Sequence, residues 1–248
     1  MIARWSLRMI IAVMRRIFYI IRSTVMFWIA DQTMQHLESI RRYELDLVID
    51  LLHRNGRVLE IGAGTGWQAQ IFSKRGYDVA AIDLASSCYK EHRVWPIIDY
   101  DGEHIPFVDK SFDIIFTSSV LEHVPHLIDF QKEIHRVLKP DGYAIHVVPS
   151  GSWRFWTNIT EIMKFWSIPK IHGEHAGNPI TEIFYFSRKW WMQLFRDTGW
   201  TVAAYYPNKL YYTGHSIMDY RLSINTRNKL SRILGSSCHI FVLAKKQS

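Results

Sequence analysis

The sequence predicts an α/β protein built on a doubly wound, mostly parallel sheet of seven strands, preceded by an N-terminal amphipathic helix. Three observations carry that expectation. From residue 57 to residue 149, short apolar runs alternate with runs of helical period, the pattern of parallel strands joined by crossover helices. The strand runs are apolar along their whole length rather than at every second position, as in strands covered on both faces. A chain of 248 residues that is 48% hydrophobic and 21% charged can bury one full core, and its composition is not that of a disordered, collagen-like or disulfide-framework protein.

At the N-terminus, residues 2–29 contain neither Gly nor Pro and read as helix. At about 100° per residue, Arg4, Arg8, Arg15 and Arg22 lie within roughly 40° of one another and Arg16 about 100° away. The rest of the cylinder is Ile, Met, Val, Phe and Trp. The longest Arg-free stretch, Ser23–Ala30, has eight residues, far short of a span, and each Arg at a bilayer centre would cost roughly 2.5 to 3.5 kcal/mol. A helix over residues 1–35 lying in a membrane interface suits the pattern, with Arg heads among phosphates and rings among acyl chains. An acid-free, Arg-rich start also fits a mitochondrial presequence, and a broad apolar face also fits a helix packed on its own domain or on a partner.

Residues 36–248 read as one domain. The stretch 41–53 puts Leu45, Val48, Ile49 and Leu52 at helical spacing, and Asn55-Gly56 ends it. Strands follow at 57–62, 77–83, 94–99, 112–118 and 143–149. Between them lie a helix ending at Gly76, a short helix near 86–93, and an amphipathic helix over 126–142 closed by Pro140 and Gly142. After Pro149 the alternation stops. Residues 150–186 are rich in Trp, Phe, His and Gly without a clear period, and a loop that long in a compact domain usually has a job. A helix over 187–199 with Ser187 as N-cap and Gly199 at its end, then strands at 200–206 and 238–246, complete the seven.

The first strand closes on Glu60-Ile61-Gly62-Ala63-Gly64-Thr65-Gly66. Glycines there let the backbone turn tightly and approach a ligand at the carboxyl ends of parallel strands, beside a helix N-terminus. Their GxGxG spacing departs from the GxGxxG of a dinucleotide fingerprint. Seventeen residues after Gly66, Asp83 ends the second strand, where a carboxylate can accept both hydroxyls of a ribose.

With these residues the chain resembles the class I S-adenosylmethionine-dependent methyltransferases, in particular a compact-core subgroup with E-x-G-x-G-x-G and V-L-E-H-V type motifs. The resemblance covers residues 41–149 well and 187–245 loosely. It implies a Rossmann-like methyltransferase fold with S-adenosylmethionine as cofactor, whose amino-acid end is held by Glu60, Gly62, Gly64 and Gly66 and whose ribose is held by Asp83. Asp101-Gly102, opening a third motif that runs to Phe112-Asp113, falls where the adenine is read, and Ser118 opens the fourth, Ser118 to Val124. Ala63 and Leu84 complete the expected cofactor set. Arg136 to Gly142 looks like the family's helix-to-strand turn, with Asp141 where Gly is commoner. Phe112 and Asp113 read as structural, a core ring and a strand-start acid.

Methyl transfer from a sulfonium is an in-line displacement, so the enzyme chiefly aims a nucleophile and excludes water. A base is needed only where the acceptor holds a poorly acidic proton. No Asn-Pro-Pro-Tyr or Asp-Pro-Pro-Tyr follows the fourth strand, which disfavours an amino acceptor, whereas His123, His172, Glu174 and His175 are candidate bases for a hydroxyl. His123 reads equally well as a packed structural side chain. His172-Gly-Glu-His175 lacks a matching third ligand in sequence, so no metal is expected. The aromatic residues of 150–186, Trp153 and Phe186 among them, read either as a lid over a large, greasy acceptor or as core.

Five of the seven net positive charges sit in the first 30 residues. The nearly neutral remainder speaks against nucleic acid as a partner. Cys88 and Cys238 form no paired spacing, which fits a reducing compartment. The expectation is a cytoplasmic enzyme associated peripherally with an anionic membrane surface, with a mitochondrial location as the alternative, methylating a small-molecule or lipid-linked acceptor. Methylation of a soluble small molecule, or cofactor binding without turnover, are the alternatives.

Overall fold

In the computed structural model, the described residues are 13–17, 19–21, 23, 29–30, 34–52, 56–217 and 222–246. A two-residue strand, β1 (Ile29–Ala30), precedes helix α1 (Met34–Ile49) and strand β2 (Arg57–Ile61). Helix α2 (Trp67–Lys74), β3 (Asp78–Leu84), a 3-10 turn over Lys90–His92, β4 (Ile98–Tyr100) and β5 (Phe112–Ser118) follow. A second 3-10 turn, Leu121–His123, leads to α3 (Leu127–Val137) and β6 (Leu138–Pro149). Next come α4 (Gly151–Phe165), α5 (Thr181–Tyr185), α6 (Arg188–Asp197) and β7 (Trp200–Pro207). The chain closes with β8 (Ser216–Ile217), α7 (Ile224–Leu234) and β9 (Cys238–Lys245).

The seven-stranded sheet runs β4-β3-β2-β5-β6-β9-β7. Its pairs are parallel except where β9 lies antiparallel between β6 and β7. Leu59, Ile61 and Ile115 pack with Phe130 and Ile134 of α3 and Trp191 and Phe195 of α6. Val58, Ile114 and Phe116 pack with Ile40, Leu45 and Val48 of α1 and Phe72 of α2. Both faces of the central strands are therefore dry, which is why their sequences carry no polar alternation. Phe112 is fully buried, and Asp113 accepts the Arg57 N–H and the Lys139 ammonium, each at 2.8 Å; both residues are structural.

Four expectations need correction. Helix α3 stops at Val137 rather than running to Gly142, because Leu138 enters the sheet opposite Phe112. The third strand is Ile98–Tyr100, shorter and later than 94–99. Residues 150–186 hold two helices, and Ser150 caps the first by accepting the Trp153 N–H at 3.0 Å. Their aromatic rings also divide: Trp153 and Phe186 are core, while Phe155, Phe165, Trp166 and Phe184 are exposed. A single helix over 1–35 is interrupted, since Ile29–Ala30 is a strand paired antiparallel with Ser216–Ile217 of β8. Residues 13–17, 19–21 and 23 are helical and exposed, Arg15 and Arg16 together with Val13, Met14, Ile17, Ile20 and Ile21. The expectations for Arg4, Arg8 and Arg22 lie outside the described residues. Among the described residues no helix is long and apolar enough to cross a membrane.

One buried ion pair organises the segment after β6. Arg154 on α4 meets Glu182 on α5 at 2.5 Å, with both side chains almost wholly buried. Glu182 also accepts the backbone N–H groups of His172 and Gly173, at 2.9 and 2.5 Å, and Arg154 donates to the Lys170 carbonyl. Two helices and the loop between them are thus gathered on one carboxylate. Replacing one partner leaves a buried charge without its complement. Arg154→Met is expected to lower stability by about 3 to 5 kcal/mol in urea unfolding, and the double variant Arg154→Met/Glu182→Met is expected to recover only part of that loss, because the His172 and Gly173 N–H groups then lose their acceptor.

Candidate active site

The order of the sheet reverses at β2, from which the chain moves outward to β3 and β4 and then crosses to β5 on the other side. Ligands of such sheets bind outside the carboxyl ends of the strands at that reversal. The loop after β2 lies there. Gly62, Gly64 and Gly66 have φ of +72°, +58° and +79°, a region that L side chains rarely adopt. Space is a second constraint: a Cβ on Gly62 would collide with Val120, and one on Gly66 would come within 2.6 Å of the Trp95 Cβ.

The buried Asp83 at the end of β3 holds this turn. Its Oδ2 accepts the Gly64 N–H at 2.9 Å and its Oδ1 accepts the Leu84 N–H at 2.8 Å, and each carboxylate oxygen keeps a further lone pair. A cleft of about 1040 Å³ runs from Gly62 and Gly64 past Asp83, Leu84, Asp101 and Gly102 to His123. An adjoining cleft of about 410 Å³ is lined by Gly62, Ala63, Gly64, Ser118 and Arg41. The expected cofactor residues therefore converge on one region, with Glu60 and Gly66 behind its wall. Asp101 accepts the His104 and Glu103 backbone N–H groups and the His104 ring, and these bonds hold its carboxyl down to about 2.

Glu60 is the unusual member. It is fully buried, and among the described residues neither carboxylate oxygen has a partner within normal hydrogen-bond geometry. Burial pushes its pKa up to about 8 and the Asp83 charge adds to the rise, against the Ala69 backbone N–H, which lowers it.

The four candidate bases also meet. The Glu174 N–H donates to the Glu122 carbonyl at 3.0 Å, which joins the 172–175 loop to the turn carrying His123. The His123 and His172 rings stand edge to face at 4.7 Å. Both residues are exposed to solvent, yet desolvation by the protein around them lowers both pKa values, His172 to about 3 with His123 adding to the effect. Glu174 raises and His175 lowers the His123 pKa, so His123 is coupled to the 172–175 loop. His175 is itself lowered by burial.

The family model for a methyltransferase domain matches residues 36–205. The chain belongs to that family. Among curated relatives, the demethylmenaquinone methyltransferase of Paenarthrobacter aurescens is 30% identical over 166 residues, 60% of this chain and 64% of the relative. The phthiotriol/phenolphthiotriol dimycocerosates methyltransferase of Mycobacterium tuberculosis is 32% identical over 112 residues, 38% of this chain and 41% of the relative. The chain thus spans less than two thirds of these relatives. Among solved structures, the 1,6-didemethyltoxoflavin-N1-methyltransferase of Burkholderia thailandensis, with bound S-adenosylhomocysteine, has a TM-score of 0.53 at 17% identity, covering 84% of this chain and 78% of that one. The sheet order is that of the Rossmann-like methyltransferase fold.

The structure adds two residues that the sequence reading missed. Arg41 on α1 donates to Glu44 at 2.8 Å and to the Ser119 hydroxyl at 2.7 Å, and Ser119 holds a φ of +54° at the rim of the cleft. In the sequence, Arg41 and Glu44 show only the i, i+3 spacing of a helical ion pair, and nothing there relates them to Ser119. Glu60 provides a test of the site's electrostatics. A carboxyl whose folded pKa is raised contributes stability below its unfolded value and loses it as pH climbs through the folded one. Glu60→Gln is expected to match the wild type below pH 4.5 and to become progressively more stable than it as the pH rises toward 8, as read by the urea midpoint across that window.

Proposed function

We propose that the enzyme O-methylates an amphiphilic or lipid-linked acceptor at a membrane surface. The observation that carries this reading is the group of titratable side chains around His123, at the end of the cleft that begins at the glycine turn. A neutral imidazole with its edge in a cleft can accept a hydroxyl proton.

The residues of the turn suit S-adenosylmethionine. A Cβ at Gly62 would collide with Val120, so the backbone approaches the cleft closely only as glycine, and Asp83 retains acceptor capacity for the ribose hydroxyls. The buried Glu60 carboxyl behind the turn and the Arg41 guanidinium beside it suit the amino and carboxylate groups of the methionine end. Leu84 and Gly102 form an apolar and a backbone wall for the adenine, with Asp101 at its edge. When bound, the cofactor supplies a methyl group on a sulfonium. His123 takes up or relays the acceptor proton, and His172, Glu174 and His175 set its protonation.

The membrane part of the reading rests on two surfaces. The helical N-terminal residues present both Arg and apolar side chains to solvent. On or just past α4, Phe155, Ile162 and Trp166 are exposed at spacings that place them on one face. Strand β1 brings the N-terminal segment near that helix, because its partner β8 follows Gly214, whose N–H donates to Thr157 of α4 at 2.8 Å. The names of the quinone and dimycocerosate relatives agree with a greasy acceptor.

Asp83→Ala is expected to weaken S-adenosylmethionine binding by about 2 to 3 kcal/mol in calorimetry, through the loss of charge-assisted bonds in a partly dry site. Incubating the full-length enzyme with methyl-labelled S-adenosylmethionine and a membrane lipid extract is expected to label a lipid through an ether or ester oxygen. Removing residues 1–28 should cut that labelling and vesicle sedimentation together while cofactor affinity stays unchanged. Label found only in a water-soluble product would favour a soluble acceptor.

A further inference from the structure

Two adjacent side chains and a third from 49 residues further along the chain meet beside the cleft, which His123 lines. One carboxylate oxygen of Glu122 and one ring nitrogen each of His123 and His172 all lie within 4.8 Å of one another. Ligands of a shared tetrahedral cation, at about 2.0 to 2.2 Å, stand roughly 3.3 to 3.6 Å apart, so small side-chain rotations would close the set.

The groups are suited to the task and held in place. Glu122 is 1% exposed, and its Oε2 is buried without a hydrogen-bond partner among the described residues, a state that favours any cation able to reach it. Arg41 acts on Glu122 electrostatically, yet its own hydrogen bonds go to Glu44 and Ser119. The His172 ring is boxed by Trp153 at 4.7 Å and Phe186 at 6.2 Å, and its backbone N–H is fixed on Glu182 at 2.9 Å. Supports of this kind orient metal ligands.

We propose that Glu122, His123 and His172 bind a divalent first-row metal cation, with a coordination position open to the acceptor cleft. Two imidazoles and one carboxylate form a donor set used by catalytic zinc and other first-row metals. This deepens the O-methylation reading and rests on it for the chemistry alone; with the cation bound, His123 is a ligand, and the cation in place of that ring activates the acceptor hydroxyl. With the acceptor hydroxyl as a further ligand, the cation lowers the hydroxyl pKa. The hydroxyl oxygen then bonds to the methyl carbon as the carbon–sulfur bond breaks, the electron pair stays on sulfur, and the hydroxyl proton leaves to solvent through the cleft.

The test uses chelator-treated full-length protein titrated with Co²⁺ alone and followed by visible d–d absorption, with Zn²⁺ as competitor and S-adenosylhomocysteine binding measured in parallel. The expected result is one Co²⁺ per chain, displaced by Zn²⁺, with affinity lowered about tenfold or more in Glu122→Gln and in His172→Ala. Both variants should still bind S-adenosylhomocysteine, which shows that they are folded. Wild-type Co²⁺ affinity no greater than that of a His123→Ala/His172→Ala variant that binds S-adenosylhomocysteine overturns the metal site and leaves the cofactor assignment standing. Tight Co²⁺ binding by a wild type that fails to bind S-adenosylhomocysteine upholds the metal site and overturns the cofactor pose.

Discussion

Asp83 ties two strand ends into one site. The turn after β2 places three glycines in left-handed backbone; Gly62 donates to the Ile82 carbonyl and Gly66 to the Ala63 carbonyl, and the Asp83 carboxylate accepts the remaining Gly64 N–H. The same carboxylate accepts the Leu84 N–H, so the turn after β2 and the exit from β3 share a single anchor. The far wall obeys a similar rule, since Asp101 accepts two backbone N–H groups of its own loop. A Cβ at Gly102 would come within 2.9 Å of Leu84, so that wall too is shaped by what glycine lacks. The cleft is thus bounded by strand ends whose irregular backbone is satisfied by carboxylates and neighbouring carbonyls together.

The opposite end of the cleft depends on a second buried carboxylate. Glu182 takes Arg154 and two backbone N–H groups at once, and through them it sets where His172 stands against His123. An ion pair at that depth recovers its desolvation only when further hydrogen bonds complete it, and here the backbone of the 172–173 loop completes it. The segment after β6 serves as core where Trp153 and Phe186 pack beneath the site and as surface where Phe155, Ile162 and Trp166 face outward. These two uses explain why its sequence shows no single period.

Burial acts in one direction on the ionisable groups of the site. Glu60 and Glu122 are both raised to about 8, and His123, His172 and His175 are all lowered. Each group is pushed toward its neutral form by the same desolvation. A low-dielectric pocket containing carboxyls without ion-pair partners rewards an incoming positive charge. The proposed cofactor, S-adenosylmethionine, carries such charge on its ammonium and sulfonium groups, and a divalent cation would carry more.

Local chemistry made much of this molecule legible in the sequence. The unbroken apolar strands, the glycine turn and the acid at the end of β3 are short-range features, and each appears where backbone sterics or double-sided burial demands it. The caps at Ser187 and Gly199 are legible for the same reason, since their partners lie within one helical turn. Tertiary contacts decided the rest. Leu138 left its helix because Phe112 offered a strand partner, and Arg41 joined the cleft through a serine 78 residues away. His172 came to His123 across 49 residues of chain. A residue's neighbours along the chain constrain its backbone, whereas the partners of a long polar side chain are chosen by whichever distant elements the core brings beside it.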